Sequence, residues 1–589
     1  MKVLMSGNEA IARGAYEAGV SVAVGYPGTP STEILENIVK YPTIKAQWSP
    51  NEKVAMEVGI GAAFAGARSL VTMKHVGVNV AADPLFTVAY TGVRGGLVLI
   101  SADDPGMHSS QNEQDNRYYG KFAKIPVLEP SDSQEAKDFI HLAYEISEQF
   151  DTPVILRITT RIAHSQTLVE SKEPVAPVKY PYQKDEKKYV MVPAFARERH
   201  VAVEKRRVEL VKYAETSPLN QVHYGNLRVG VITSGIAYQY VKEAAPDASV
   251  LKLGLTNPLS PNLIRQFAAQ VEKLYVVEEL EPFIEEQVKA LGLDCIGKEV
   301  LPRMGELSVF AVAELLAEKP VDEIAASSEA RLKPFAAPPR PPVLCPGCPH
   351  RGVFYTLKQL KLTVSGDIGC YTLGALAPLS TIDTCVCMGY SIGGALGMEK
   401  AEPEMARRMV AVIGDSTFLH SGITGLLDVV YNKGTTTTLI LDNRITAMTG
   451  QQPNPASGQD LMGNSVSQVD LETLVRALGV KRVRVVDPFD LPALKSAIKE
   501  ELAAEEPSVI IARRPCIFVD PNVSGLSVAI TDACTRCKAC MQLGCPALKF
   551  AGSKVQVDST LCNGCNLCVS VCRFGSILPA DRKQVNSNG

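Results

Sequence analysis

Eight cysteines near the end of the chain constrain it more than any other feature. They form two runs, Cys534-x2-Cys537-x2-Cys540-x4-Cys545-Pro546 and Cys562-x2-Cys565-x2-Cys568-x3-Cys572. Three cysteines at x2 spacing can turn their thiolates toward three corners of one cubane. The fourth of each run is too constrained to close the same cluster and reaches across to the other. The spacing therefore predicts one [4Fe–4S] cluster on Cys534, Cys537, Cys540 and Cys572. A second falls on Cys545, Cys562, Cys565 and Cys568. Zinc sites usually pair two Cys-x2-Cys knuckles rather than two triplets, so the pattern favours clusters over zinc or disulfides. The x4 before Cys545 adds one residue of slack. Such a module implies transfer of single electrons.

The remaining composition is ordinary. The chain has 589 residues, 46% hydrophobic and 21% charged, with a net charge of −3. That balance gives no electrostatic case for nucleic acid. Its 15 cysteines, many assigned to metal, imply a reducing, cytoplasmic compartment. The segment after Met1 lacks an apolar signal region. No stretch reaches the roughly 18 to 20 apolar residues that span a bilayer, so no membrane role is expected.

Residues 1–170 read as α/β: apolar runs at 96–101 and 152–157 look like buried strands, and Glu52 to Ala67 is a Gly/Ala-rich helix. Residues 171–224 are a connecting segment with a helix near 194–216. A second α/β unit covers 225–330, with strands near 227–233, 249–253 and 273–278. A Pro-rich linker follows at 331–343. A third α/β domain spans 344–522, with strands at 409–413, 438–441 and 508–511. The cysteine-rich module covers 523–580 and a polar tail 581–589.

Two strands of the third domain end in polar residues, Gly414-Asp415-Ser416 and Asp442-Asn443-Arg444-Ile445. Ligands of open parallel sheets sit beyond the carboxyl ends of the strands. Asp415, Asn443 and a backbone carbonyl are hard oxygen donors suited to Mg²⁺ beside phosphates. The segment Gly389-Tyr390-Ser391-Ile392-Gly393-Gly394 opens a helix whose N–H groups are expected to hold phosphate oxygens. In the first domain Glu52 opens a helix, with Glu57 as a competing carboxylate. The turn Gly25-Tyr26-Pro27-Gly28-Thr29-Pro30-Ser31 precedes another helix, with a simple N-cap at Ser31 as an alternative reading. A loop carrying His108 and Arg117 follows a strand end, where an Arg could clamp a carboxylate. Cys345, Cys348, Cys370 and Cys516 read by themselves as a zinc site or buried thiols, and their resemblance to the Cys-Pro-Gly-Cys, Gly-Cys and single-Cys arrangement of 2-oxoacid:ferredoxin oxidoreductases implies a third cluster there. Cys295, Cys385 and Cys387 read as core thiols.

These motifs resemble known families. The cysteine module is similar to bacterial two-cluster ferredoxins. The Gly-Asp-Ser and Asn pair resembles the thiamine diphosphate motif, with Asp442 where Asn is frequent. Nearly the whole chain resembles the large (alpha) subunit of the indolepyruvate ferredoxin oxidoreductases, within the thiamine-diphosphate-dependent 2-oxoacid:ferredoxin oxidoreductase family. The carriers are the Cys345-Pro346-Gly347-Cys348-Pro349-His350 motif and the run from Leu441 to Gly450. The resemblance implies open parallel sheets for the pyrimidine and diphosphate of thiamine, and a middle transketolase-C-like α/β domain. A C-terminal two-cluster ferredoxin-like α+β module completes the fold. It implies Mg²⁺ on Asp415, Asn443 and the carbonyl of Ile445, with Gly389, Ser391, Gly414 and Ser416 around the cofactor. Glu52 would activate the pyrimidine, and Thr29 would approach the reacting carbon. The implied activity is oxidative decarboxylation of aryl pyruvates (indolepyruvate, phenylpyruvate) with coenzyme A, electrons passing to ferredoxin in an anaerobic setting. A smaller beta subunit would complete a heterodimer, paired to a heterotetramer. Pyruvate or 2-oxoglutarate as substrate, or an electron-transfer subunit with an inactive thiamine fold, are the alternatives.

Overall fold

The apolar runs pair as parallel strands, because each is buried on both faces and the returns between them are helical. A computed structural model describes residues 2–316, 341–520, 526–552 and 554–579. The Pro-rich stretch at 331–343 lies mostly outside the described residues, as does the tail at 581–589. The chain divides into two compact units, Met1–Ala337 and Pro338–Gly589.

The first unit holds a seven-stranded sheet in the order Leu255–Asn257, Val127–Leu128, Val154–Thr159, Leu97–Asp103, Ser69–Lys74, Val22–Gly25, Lys45–Trp48. Only the first of these runs antiparallel. A second sheet has the order Lys273–Val277, Asn226–Ser234, Ala248–Leu253, Asn220–His223. The two sheets are interleaved, which the sequence reading did not anticipate. Leu255–Asn257, within the middle α/β region, pairs with Val127–Leu128 of the first sheet. Asn220–His223, within the connecting segment, pairs with Ala248–Leu253 of the second. The long helix Pro193–Thr216 lies near the expected 194–216.

The second unit holds a five-stranded, wholly parallel sheet: Thr363–Ser365, Met409–Gly414, Thr437–Asp442, Ser508–Arg513, Arg482–Val486. Its two faces carry separate apolar layers, one around Val353, Phe354 and Leu357, the other around Ile392, Leu396 and Leu426. The cysteine-rich module adds two small antiparallel pairs, Ala529–Ile530 with Ile577–Leu578 and Leu548–Ala551 with Lys554–Val557. So small a core, in which cysteines stand among the apolar side chains, needs its metal as a staple.

Candidate functional site

In the first unit the candidate residues gather beyond the carboxyl ends of four adjacent strands. Glu52 is buried in the first turn of helix Glu52–Phe64, and the Asn51 side chain caps that helix by accepting from the Val54 N–H at 2.9 Å. A Cβ at Gly77 would stand 2.8 Å from the Glu52 carboxylate, so only glycine admits this approach. Glu57 instead lies exposed and pairs with Lys53. Lys74, at the end of its strand, was not singled out by sequence. Burial pushes its ammonium down to about 8, although Asp104 and Glu52 oppose the shift. It donates to the Ser109 carbonyl at 2.6 Å, and the Ser109 hydroxyl donates to the Thr29 carbonyl at 3.3 Å. Burial works to raise the Asp104 carboxyl, but hydrogen bonds from Ser110, Ser109 and Thr160 outweigh it and hold it below its ordinary value. Glu52 and Asp104 therefore lie within electrostatic reach of Lys74, and Ser109 links Lys74 to Thr29. Ser31 stands at the N-cap of Thr32–Ile38 but makes no side-chain cap bond there; its hydroxyl donates to Gly28 O.

His108 is exposed and faces Glu306 at 3.5 Å. Arg117 requires a correction. It is fully buried, its guanidinium donating to Asp115 at 2.8 Å, to Glu278 at 2.6 Å and to the carbonyls of Glu279 and Glu281. Those bonds place it in the joint between the two sheets of the unit, its guanidinium already engaged by two carboxylates and two backbone carbonyls.

In the second unit Asp415 and Asn443 follow neighbouring strands whose ends are in register, Gly414 opposite Leu441. Asp415 is 2% exposed, and burial, reinforced by the charge of Asp442, pushes its carboxyl up to about 7. The N–H groups of Ser416 and Arg444 reach it at 2.6 Å without offsetting that cost. A carboxylate this strained for a counter-charge fits a cation. Asn443 turns its Oδ1 toward its own neighbour, Ile445 N–H, at 3.3 Å and its amide toward His350 Nε2 at 3.5 Å. Burial pushes the His350 imidazole down to about 4, so it is neutral near pH 7. Ser416 accepts from the Thr446 hydroxyl at 2.8 Å. Gly414 packs where a Cβ would stand 2.7 Å from the Tyr371 ring.

The phosphate role expected of Gly389 and Ser391 also needs correcting. Their N–H groups donate to the two oxygens of Asp367 at 2.8 and 2.9 Å, and Tyr390 N–H donates to Cys387 O. A buried carboxylate already neutralises this helix start. Asp367 lies in the Gly366-Asp367-Ile368-Gly369-Cys370 stretch that sequence reading used only for its cysteine. Sequence periodicity also missed the π-helical turn Phe418–Gly422 just beyond Asp415, which buries His420 with Nδ1 2.5 Å from the Ser421 hydroxyl.

The cysteines sort into three groups. Cys534, Cys537, Cys540 and Cys572 line one cavity. Cys545, Cys562, Cys565 and Cys568 line another. Each group joins a triplet from one run to a single cysteine of the other. Cys345, Cys348, Cys370 and Cys516 also lie within electrostatic reach of one another. Burial, then Cys516 and Cys345, push the Cys370 thiol up to about 11. Cys516 N–H donates to Asn443 O at 3.1 Å, joining this group to the Asp415 edge. Arg351, buried, donates to the carbonyls of Leu344 and Cys345 on one side and Leu543 on the other. The Asn563 side chain donates to Pro346 O at 2.9 Å. The Cys345–Cys348 loop is thereby fastened to the wall of the Cys545 cavity. Of the expected core thiols Cys295 is buried and Cys385 half-buried, but Cys387 is exposed, on the turn that leads into helix Tyr390–Ala401.

Comparison with known proteins agrees with this arrangement. Residues 13–224 match the family "Pyruvate flavodoxin/ferredoxin oxidoreductase, thiamine diP-bdg". Residues 367–512 match "Thiamine pyrophosphate enzyme, C-terminal TPP binding domain", and 555–578 match "4Fe-4S binding domain". The chain is thus a thiamine-diphosphate- and iron–sulfur-dependent enzyme of the 2-oxoacid:ferredoxin oxidoreductase class.

The indolepyruvate oxidoreductase subunit IorA of Archaeoglobus fulgidus is 42% identical over 98% of both chains. That of Methanothermobacter thermautotrophicus is 41% identical over 98% of this chain and 97% of its own. The chain belongs to the IorA family. A solved 2-oxoglutarate:ferredoxin oxidoreductase from Magnetococcus marinus shows 16% identity and a TM-score of 0.46, covering 54% of this chain and 65% of its own. No helix among the described residues is long and apolar enough to cross a membrane.

Proposed function

We propose that this chain is the thiamine- and cluster-bearing subunit of an enzyme that oxidatively decarboxylates aryl pyruvates, indolepyruvate and phenylpyruvate among them, with coenzyme A. Its products are an arylacetyl-CoA, CO2, one proton and two electrons released one at a time to ferredoxin. The observation that carries the reading is the contiguity within the second unit. Asp415 and Asn443 adjoin the Cys345 group, and Arg351 and Asn563 join that group to the Cys545 cavity.

Thiamine diphosphate, when bound, supplies the electron sink for decarboxylation. Asp415, Asn443 and the Ile445 carbonyl would hold its Mg²⁺, and Gly414 and Ser416 would border the diphosphate. In the first unit Glu52 would exchange a proton with the pyrimidine edge, Thr29 would stand toward the reacting carbon, and His108 would lie on the loop that meets the substrate. Cys534, Cys537, Cys540 and Cys572 would hold one [4Fe–4S] cluster, Cys545, Cys562, Cys565 and Cys568 a second, and Cys345, Cys348, Cys370 and Cys516 a third. The IorA relatives' designation as a subunit of indolepyruvate oxidoreductase supports the aryl substrate and a partner subunit; that the partner is smaller, that the pair doubles to a heterotetramer and that it works in the cytoplasm belong to the same proposal. The division at 170, 224, 330, 343, 522 and 580 is proposed as the domain plan.

The test is anaerobic ferredoxin reduction by the assembled enzyme with indolepyruvate, phenylpyruvate, pyruvate and 2-oxoglutarate, with and without coenzyme A. Coenzyme-A-dependent reduction with the aryl acids is expected. Reduction with pyruvate or 2-oxoglutarate alone would overturn the substrate assignment. No reduction with any acid by loaded protein would move the chain to a pure electron carrier.

A further inference from the structure

The two cysteine cavities are not equivalent, and their differences give the electron path a direction. The Cys545 cavity faces inward, since Pro346, Gly347 and Arg351 form part of its wall. The Cys534 cavity faces outward: Cys537 is exposed, and exposed Phe574 lies on its rim.

The loops that wrap the two cavities share one backbone shape but not one chemistry. In Cys562-Asn563-Gly564-Cys565-Asn566 the left-handed residues are Gly564 (φ 72°) and Asn566 (φ 63°), the types that adopt this conformation most readily. In Cys534-Thr535-Arg536-Cys537-Lys538 the corresponding residues are Arg536 (φ 61°) and Lys538 (φ 59°). Long cationic side chains are a poor choice for those angles. The outer loop thus carries a conformational strain that the inner loop avoids, and what it gains is two exposed positive charges beside the outer cavity.

The surrounding charges reinforce them. Residues 526–579 carry five cations, Arg536, Lys538, Lys549, Lys554 and Arg573, against two carboxylates, Asp532 and Asp558, on a chain whose net charge is −3. Both carboxylates are engaged, Asp558 by Lys549 at 2.6 Å and Asp532 by Lys554 at 3.1 Å. Arg536, Lys538 and Arg573 are exposed; Lys538 lines the outer cavity, and Arg536 and Arg573 adjoin its cysteines Cys537 and Cys572 in the chain. Lys538 stands over the Phe550 ring at 4.2 Å, and exposed Phe574 lines the same cavity as Lys538. Cations beside an exposed aromatic side chain complement an acidic protein surface.

We propose that this rim, formed by Arg536, Lys538, Arg573 and Phe574, is the electron-exit port and docks an acidic one-electron carrier protein. The inference rests on the proposed function for the source of electrons, but not for its test. At each encounter the outer cluster loses one electron and the carrier gains one, with no bond or proton exchanged. Opposite charge accelerates such an encounter and salt weakens it.

The test uses the full chain in the assembly in which it purifies, with its clusters loaded and reduced by dithionite that is then removed. Electron transfer to an oxidised acidic [2Fe–2S] ferredoxin is followed by stopped flow, and to a small uncharged nitroimidazole as control. Calorimetry of the two oxidised proteins measures docking itself. The variant R536G/K538N installs the inner loop's residues, which keep the backbone shape and remove the charge; R573Q is an independent second variant. The port predicts a rate that falls at least tenfold between roughly 20 and 300 mM salt. It predicts a tenfold slower, nearly salt-independent rate and a tenfold weaker Kd in the double variant, a smaller change of the same kind in R573Q, and an unchanged rate with the nitroimidazole. An unchanged ferredoxin rate and Kd in both variants would overturn it. So would equal losses with both acceptors, or a partner subunit whose addition blocks ferredoxin. Because dithionite supplies the electrons, a failure of the 2-oxoacid reaction would leave this result readable.

Discussion

Glu279 is a buried carboxylate whose position costs stability at neutral pH, and the cost can be switched off by one atom. It sits beside the joint formed by Arg117, Asp115, Glu278 and Arg157. Burial raises its carboxyl from 4.5 to about 7, against the Leu307 N–H and the charge of Arg157, with Glu306 adding to the rise. The folded value lies above the unfolded one, so the native state binds more protons between pH 4.5 and 7. Stability therefore falls as pH rises through that window, and the full cost stands above pH 7. At about 1.4 kcal/mol for each tenfold difference in proton affinity, the cost is on the order of 3 kcal/mol. Glu279→Gln keeps an oxygen for the Leu307 N–H, 3.0 Å away, and removes the charge. Native-state hydrogen exchange on peptides covering strand Lys273–Val277 measures the opening free energy of this region. The variant is expected to match the parent near pH 4.5 and to exceed it by about 3 kcal/mol at pH 8. A difference that does not change with pH would refute the reasoning, because it would mean that Glu279 is not the group titrating in that window.

Arg117→Met should strand Asp115 and Glu278 and cost about 3 to 5 kcal/mol, read as a lower unfolding midpoint; a raised KM for the 2-oxoacid in a normally stable protein would restore the clamp reading. Gly66→Ala places a Cβ 1.9 Å from the Tyr180 carbonyl at φ +88°, so a loss of more than about 2 kcal/mol is expected, and near-neutral stability would contradict it. Cys572→Ser should remove the paramagnetic signal of the outer cluster and leave the inner one, whereas Cys545→Ser should do the reverse; loss of the opposite signal in either variant would break the pairing across runs.

The chemistry of this chain was easier to read from its sequence than its architecture. The two cysteine runs were legible because metal geometry fixes ligand spacing locally, and the pairing of triplet with remote single cysteine followed from the same constraint. Asp415 and Asn443 were legible because parallel strands deliver their last residues to one edge. Lys74 and Asp367 were not. A lysine at a strand end and an aspartate in a loop have no periodic signature, and their roles depend on what burial brings beside them. Arg117 was misread for the opposite reason. Its place after a strand end looked like a ligand position, but four acceptors 2 to 164 residues away engage it. The strand exchange between the two sheets of the first unit was hidden because Leu255–Asn257 is three residues long and carries no pattern of its own.

The central claim is that electrons taken from a 2-oxoacid enter this chain's own cysteine-held clusters. Anaerobic mixing of the assembled, cofactor-loaded enzyme with indolepyruvate and coenzyme A, followed by low-temperature electron paramagnetic resonance, tests it directly. Reduced [4Fe–4S] signals that require the 2-oxoacid, and that Asp415→Ala abolishes while dithionite still elicits them, are the predicted result. Clusters that dithionite reduces but no 2-oxoacid does, in protein carrying thiamine diphosphate, would contradict it.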